Sequence, residues 1–303
     1  VKIAISGASG LIGTALSRSL RLDGHDVVPL VRRAVSDGEA GIRWDPSAGT
    51  IDAEALEGVD AVVHLAGAGI GDHRWSDDYK RQVLESRTKG TDLVARTIAG
   101  LDRKPAVLVS GSAIGYYGDT GDTAVDEGAP SGNDFLADVC RLWESATTPA
   151  EEAGVRVAHL RTGIVLSPGG GALAKLLPLF RLGLGGRMGS GRQWWSWISL
   201  DDEVSAIRWL LDHEVSGAVN ATAPEPVTNA EMTRVLGSVL HRPTLLPVPS
   251  FGPKLLLGGE LADALLFTSQ RVLPGVLTEQ AFPFAHPTLE AALRSLLDRP
   301  LAA

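Results

Sequence analysis

Gly7, Gly10 and Gly13 recur at every third position in Ile5-Ser6-Gly7-Ala8-Ser9-Gly10-Leu11-Ile12-Gly13. The spacing falls where a short apolar run, Lys2–Ser6, gives way to a helical pattern beginning at Leu11. Glycine there permits a tight turn, lets backbone N–H groups approach a pyrophosphate and lets a helix lie close to the strand. The amides from Ser9 to Gly13 would then face an anion at a helix N-terminus, where aligned peptide dipoles add partial positive charge. A glycine-rich match alone is weak; a strand before it and a helix after it, in the first such unit of the chain, give the context a dinucleotide site requires. The end of the second strand selects between cofactors. NAD-binding folds place an acidic residue about 20 positions beyond the loop, on the ribose 2′-hydroxyl. Here Arg32 and Arg33 follow Val27-Val28-Pro29-Leu30-Val31. Two guanidinium forks suit a 2′-phosphate by charge and by shape, so the expected cofactor is NADP(H). A solvated basic pair at a strand end is the plainer account.

The elements that must hold these residues read as a βαβ alternation. Runs at Lys2–Ser6, Asp26–Val31, Ala61–Leu65, Ala106–Ser110 and Val155–Arg161 predict parallel strands, with helices near Leu11–Leu22, Asp77–Ala99 and Asp134–Glu152. Right-handed crossovers place ligands at the strands' carboxyl ends. Beyond residue 165 the pattern changes. Ser167-Pro168-Gly169-Gly170-Gly171 is a break, a helix is expected around Ala172–Leu182, and Gly183–Gly191 leads into Trp194-Trp195-Ser196-Trp197. Asp201-Asp202 starts a helix through Leu211, since acidic residues favour a helix N-terminus. Val219-Asn220 is expected to return to the main sheet, and the last helix spans Pro287–Leu297. The predicted fold is α/β: a Rossmann-type doubly wound parallel sheet over residues 1–165, rejoined by about 201–222. Residues 166–200 and 223–303 would form a smaller, mostly helical substrate lobe.

Further motifs follow the strands: His64-Leu65-Ala66-Gly67, Val109-Ser110-Gly111-Ser112-Ala113, Arg161-Thr162-Gly163-Ile164-Val165, and Gly189-Ser190-Gly191 before Asp201-Asp202. With the glycine loop, they make the chain resemble the extended short-chain dehydrogenase/reductase superfamily, the group of nucleotide-sugar epimerases and dehydratases. Tyr116-Tyr117-Gly118, Asp134-Phe135-Leu136-Ala137, Trp143-Glu144 and Gly183-Leu184-Gly185-Gly186 are similar to its atypical epimerase-like branch. So is the closing stretch from Leu257-Gly258-Gly259-Glu260 to Pro283-Phe284-Ala285-His286-Pro287. The resemblance implies that Leu65, Ala66, Gly67 and Ser110 line the cofactor and that Ser112 faces nicotinamide and substrate. Arg161 would anchor the loop beneath the nicotinamide, with a structural salt bridge as the competing account. A homodimer through the helices near Asp77–Ala99 and Asp134–Glu152 is implied by the resemblance alone.

Two departures stand out. The superfamily's Tyr-x-x-x-Lys pair needs a cation to make a phenol of pKa near 10 useful at neutral pH. Tyr79, Tyr116 and Tyr117 are the only tyrosines, Val83, Thr120 and Gly121 stand four residues after them, and no lysine lies between Lys104 and Lys175. Phe135 and Val139 occupy the two expected places. Counting from Gly189 and Gly191, Trp195 stands where the family pattern has a diphosphate-gripping arginine and Ser199 where it has a histidine. Arg192 is near but out of register. A less charged, aromatic or apolar substrate gains weight over a nucleotide sugar.

The candidate catalytic residues are therefore Ser112, whose hydroxyl could bond a substrate carbonyl, and Tyr116 or Tyr117 as a replacement acid/base. Loop satisfaction for the serine and simple packing for the phenols are the alternatives. Trp194, Trp195 and Arg192 are the substrate-side candidates; an aromatic pocket wall and packing between lobes contend for the tryptophans. Cys140 reads as a small hydrophobe, His64 as a core or loop anchor, and Asp126 and Glu127 as surface groups. The histidines have no metal-ligand spacing, so no metal is expected.

Composition sets the remaining bounds. A net charge of −8 without a basic run argues against nucleic acid. One cysteine excludes a disulfide within the chain, and no apolar run of membrane-spanning length appears. With a strand at its opening rather than a secretory signal, the chain reads as a soluble cytoplasmic protein. Two functions compete: an NADPH-dependent oxidoreductase or epimerase-like enzyme on a small carbonyl or hydroxyl compound, and a non-catalytic NADPH-binding regulatory or scaffold protein, which needs only the loop and the arginines.

Overall fold

The computed structural model describes residues 1–35 and 40–298. Strands and helices alternate as β1 (Lys2–Ser6), α1 (Leu11–Leu22), β2 (Asp26–Val31), β3 (Ile42–Asp45), β4 (Thr50–Ile51) and β5 (Ala61–His64). There follow α2 (Asp77–Gly100), β6 (Val107–Ala113), α3 (Phe135–Ser145), β7 (Arg156–Thr162), α4 (Leu200–Asp212) and β8 (Gly217–Ala221). These strands form one sheet in the order β8-β7-β6-β5-β1-β2-β3-β4, parallel except for the β3–β4 hairpin. Strand order reverses between β1 and β5, so the loops leaving their carboxyl ends diverge and open a crevice. This is the doubly wound Rossmann-type sheet the alternation predicted.

Alternation along the strands builds a core on each face. Ile3 and Ile5 of β1 pack with Leu16 and Leu20 of α1 and Val204 and Ile207 of α4. Ala4, between them, points to the other face, into the layer with Leu108 and with Val94 and Ile98 of α2. The strand expected around Val219-Asn220 does rejoin the sheet: β8 pairs with β7, setting Asn220 opposite Arg161. A third apolar core, including Leu177, Phe180, Trp197, Leu236 and Leu293, belongs to the C-terminal elements.

Two features differ from the sequence reading. The β3–β4 hairpin extends the sheet's edge unannounced. The helix expected over Asp134–Glu152 is two helices, Phe135–Ser145 and Thr148–Glu152. Pro149 explains the break, since it has no N–H for a carbonyl one turn back and its ring crowds that carbonyl.

Glu203 of α4 lies fully buried beside the end of β7. Its Oε1 accepts from Thr162 Oγ1 at 2.8 Å, and its Oε2 has no partner among the described residues. Burial pushes this carboxyl up to about 8 from an ordinary 4.5. Between those values the folded chain holds a proton that the unfolded chain releases, so this group's contribution to stability falls as pH rises through the window. Glu203→Gln removes that titration. Calorimetric melting should find variant and parent within about a degree near pH 5 and the variant several degrees higher near pH 8. Equal pH slopes would show that Glu203 does not titrate in this range.

Candidate functional site

The crevice between β1 and β5 holds a groove of about 1330 Å³. Its floor is the glycine turn. Gly7 has φ of 68°, and a Cβ there would stand 2.9 Å from the Leu65 carbonyl carbon, so the turn lies against the Leu65–Ala66 backbone. A Cβ on Gly13 would come 2.2 Å from Gly7 O, so only glycine lets α1 close on the turn. Because α1 starts at Leu11, the amides of Leu11, Ile12 and Gly13 have no carbonyl one turn back, the arrangement that can receive an anion at a helix N-terminus. The side chains of Leu11 and Ile12 go elsewhere, Leu11 against Gly170 and Ile12 into the core.

Ser6 fixes the opposite lip. Its Oγ accepts from Leu65 N at 3.0 Å and Ala66 N at 3.2 Å and bonds His64 Nδ1 at 2.7 Å. Burial pushes the His64 imidazole down to about 4, so it stays neutral as a loop anchor, edge-on to Trp44. Ser9, Leu65, Ala66 and Gly67 stand on the groove wall, and Arg32 and Arg33 flank its far end beside Arg18 and Trp44. Ser110, expected along the cofactor, is fully buried inside β6 and reaches neither this groove nor the cavity below.

A second cavity, of about 150 Å³, opens between the carboxyl end of β6, α3 and the C-terminal elements. Val139, Cys140 and Trp143 form one wall, and Trp194, Trp195 and Leu265 the other. Among the described residues no Asp, Glu, His, Lys or Tyr lines it, and Arg87 of α2 is its one charged residue. The Cys140 thiol is pushed up to about 12, chiefly by burial, and stays protonated. Trp194 donates from Nε1 to Asp122 Oδ1 at 3.0 Å, and its ring carries the Arg271 guanidinium at 4.3 Å. Trp195 is at once cavity wall and part of the C-terminal core. Arg192 is exposed and lines neither space.

The expected catalytic residues gather instead in a buried network behind this cavity. Arg161 makes two parallel hydrogen bonds to Glu144, from Nε to Oε1 and from Nη2 to Oε2, both at 2.8 Å. Ser112 Oγ donates to the same Glu144 Oε1 at 2.6 Å. Arg161 Nη1 donates to Tyr117 Oη at 2.9 Å, which donates to Asn220 Oδ1 at 2.7 Å. Burial pushes the Tyr117 phenol up to about 12 despite Arg161. The Tyr116 ring lies on the Arg161 guanidinium, 3.4 Å from its Cζ. Register explains the grouping: Ser112 is paired with Arg161, so both side chains leave their strands toward α3 and Glu144. Arg161 is thus held in the salt bridge and does not line the larger groove.

Ser199, in the position expected of a histidine, caps α4 by accepting from Asp202 N at 3.1 Å. Asp202, fully buried, accepts from Ala285 N and His286 N at 2.8 and 3.0 Å and so ties the C-terminal segment to this helix. Sequence reading missed Arg87, and missed that Glu144 is the partner in the salt bridge it allowed for Arg161. Arg87 was visible as a lone cation in the buried stripe Val83, Arg87, Gly90, Val94 of α2.

Comparison with known proteins agrees with this geometry. The profile of the NAD dependent epimerase/dehydratase family matches residues 3–222, and that of a Domain of unknown function (DUF1731) matches residues 248–296. An epimerase family protein of Mycobacterium bovis is 46% identical over 98% of both chains. A crystal structure of human epimerase family protein SDR39U1 (isoform 2) with NADPH is 32% identical, with a TM-score of 0.90 over 99% of this chain and 100% of that one. A nucleoside-diphosphate sugar epimerase from Corynebacterium glutamicum is 38% identical, with a TM-score of 0.79 over 98% of this chain and 58% of that one.

Replacing Arg161 by Met would leave Glu144 buried without its counter-ion. Urea unfolding should show a loss of about 3–5 kcal/mol. Adding Glu144→Leu should recover most of that loss, because the stranded charge goes with it. A single variant as stable as the parent would show that the pair does not hold this region together.

Proposed function

This chain belongs to the NAD dependent epimerase/dehydratase family, and from that premise we propose that it is an NADP(H)-dependent oxidoreductase or epimerase-like enzyme acting on a small carbonyl or hydroxyl compound. The observation that carries the reading is the pair Arg32 and Arg33 on the groove wall at the end of β2, where a 2′-phosphate requires cations. The NADPH named with the human relative's structure supports it. The turn from Gly7 to Gly13 and the first amides of α1 would hold the pyrophosphate, with Ser9 beside them and the Leu65-Ala66-Gly67 backbone along the middle of the cofactor. When bound, such a cofactor supplies hydride transfer.

The protein's own part is to seat and orient a substrate in the small cavity, with Trp194 and Trp195 excluding water from one side. Trp195 in place of a diphosphate-gripping arginine, and a wall without carboxylate or phenol, speak for a compact, weakly charged substrate. Ser112 and Tyr117 are engaged by Glu144, Arg161 and Asn220, so the proton of the reaction comes from water or from the substrate, with Tyr116 the remaining phenol nearby. The same engagement favours a second reading, a non-catalytic NADPH-binding regulatory or scaffold protein.

Titration by nicotinamide fluorescence and calorimetry separates these outcomes. NADPH should bind at least about tenfold more tightly than NADH. Arg32→Ala should weaken NADPH by about 10–100-fold, the worth of a charge-assisted hydrogen bond, and leave NADH nearly unchanged. Consumption of NADPH with a member of a carbonyl panel supports the enzyme; tight binding without turnover supports the second reading. No binding of either dinucleotide would overturn both.

A further inference from the structure

Arg87 presents a buried cation to the small cavity and has no counter-ion among the described residues. It is 7% exposed. Nη1 is anchored, donating to Ala68 O at 3.0 Å and Val83 O at 3.1 Å. Among the described residues Nε is sealed from solvent without a partner, Nη2 makes no hydrogen bond and no carboxylate pairs with the guanidinium. The titratable groups that face it are Cys140 and Tyr79. The Cys140 thiol stays protonated, and Tyr79, pushed up by burial, donates its hydroxyl to Gly69 O, so neither supplies negative charge. The Trp143 ring, 5.0 Å from Cζ, offsets only part of the desolvation.

A buried unpaired charge is among the costliest features a core can hold, and unsatisfied buried groups of this kind point to an absent partner. Arg161 shows the contrast within the same molecule, with a carboxylate on two of its nitrogens. The space around Arg87 limits what the partner can be. At about 150 Å³ the cavity matches the volume at which an apolar protein cavity takes up benzene. Its indole and aliphatic walls suit a hydrocarbon body. A dianion would exceed the single cation present, and a neutral ligand would leave that cation bare.

We propose that the small cavity binds a compact apolar monoanion, a ring-sized or branched hydrocarbon body bearing one carboxylate, with the carboxylate on Arg87 Nη2 and the body among Trp143, Trp194 and Trp195. This deepens the reading above by giving the substrate class of the same site, and rests on that reading only in calling the ligand a substrate. Binding itself can be tested with or without the cofactor.

The probes are benzoate and its neutral isostere benzamide, titrated calorimetrically into the full chain with NADPH affinity measured in parallel. Benzoate should bind at least about tenfold more tightly than benzamide. Arg87→Met should erase the difference, Arg87→Lys should keep part of it, and both variants should hold NADPH within about threefold of the parent. Equal binding of the two probes, or no benzoate binding to a protein that binds NADPH, overturns the proposal; this comparison needs no variant. Loss of NADPH with the benzoate preference kept in Arg87→Met also overturns it, because the guanidinium then serves the groove through its anchor on Ala68 and not the cavity. Benzoate discrimination in a chain that binds no dinucleotide would sustain the monoanion site and remove the enzyme reading instead.

Discussion

At the end of β7 the Arg161 guanidinium meets Glu144 in two parallel hydrogen bonds, and removing either charge would strand the other in apolar surroundings. Much of the site's shape follows from this pair. Through Ser112 it holds β6, and through Tyr117 the turn that follows β6. Tyr117 passes the connection to Asn220 of β8, whose backbone N–H donates to Glu127 Oε1 at 2.8 Å. Glu127 Oε2 in turn accepts from Val276 N at 3.2 Å, in the C-terminal lobe. One network thus reaches from three neighbouring strands to the segment that closes the molecule. Such a network fixes geometry only while every member is satisfied. The hydroxyls of Ser112 and Tyr117 are both members of it, so each already holds a partner within the fold.

Two buried arginines a few elements apart therefore have opposite characters. Arg161 has a carboxylate, a phenol and an aromatic face, and its charge is fully answered inside the fold. Among the described residues Arg87 has two backbone carbonyls on one nitrogen and an indole beside it, and no carboxylate. The groove offers a third device: the first amides of α1 point from a helix N-terminus, where an anion can be held without a side-chain charge. Arg18, Arg32 and Arg33 line the same groove, and in the proposed reading the last two answer a 2′-phosphate.

Legibility in the sequence tracked the range of the interaction. β1, α1 and β2 have the bounds the sequence predicted, because period-two burial, a helical stripe and a glycine turn are all local signals. The hairpin β3–β4 escaped because Ile42-Arg43-Trp44-Asp45 mixes buried and exposed positions over too few residues to show a period. Glu144 was visible only as part of a motif; that it meets Arg161, 17 residues away, depends on the register of β6 and β7 against α3. Trp195 was ambiguous for a different reason. It lies in the C-terminal core and on the cavity wall together, and both surroundings ask for the same large apolar side chain.

The anchoring of the C-terminal segment bears on how the cavity can select. Asp202 accepts two successive backbone amides, from Ala285 and His286, while Ser199 both caps α4 and bonds His286 Nδ1 at 2.9 Å. In the residues where the family pattern suggests diphosphate recognition, this chain thus has an indole on the wall and a hydroxyl given to structure. Trp194, a few residues before that clamp, is held on its own account, its backbone N–H donating to Ser269 Oγ and its Nε1 to Asp122 Oδ1, both at 3.0 Å. A rigid wall of indoles discriminates by shape, whereas a flexible cationic arm would discriminate by charge. Charge selection is left to Arg87, which enters from α2 on the opposite side with its own backbone anchors. Shape on one side and a single charge on the other is the division of work expected of a site for a small molecule with one polar end.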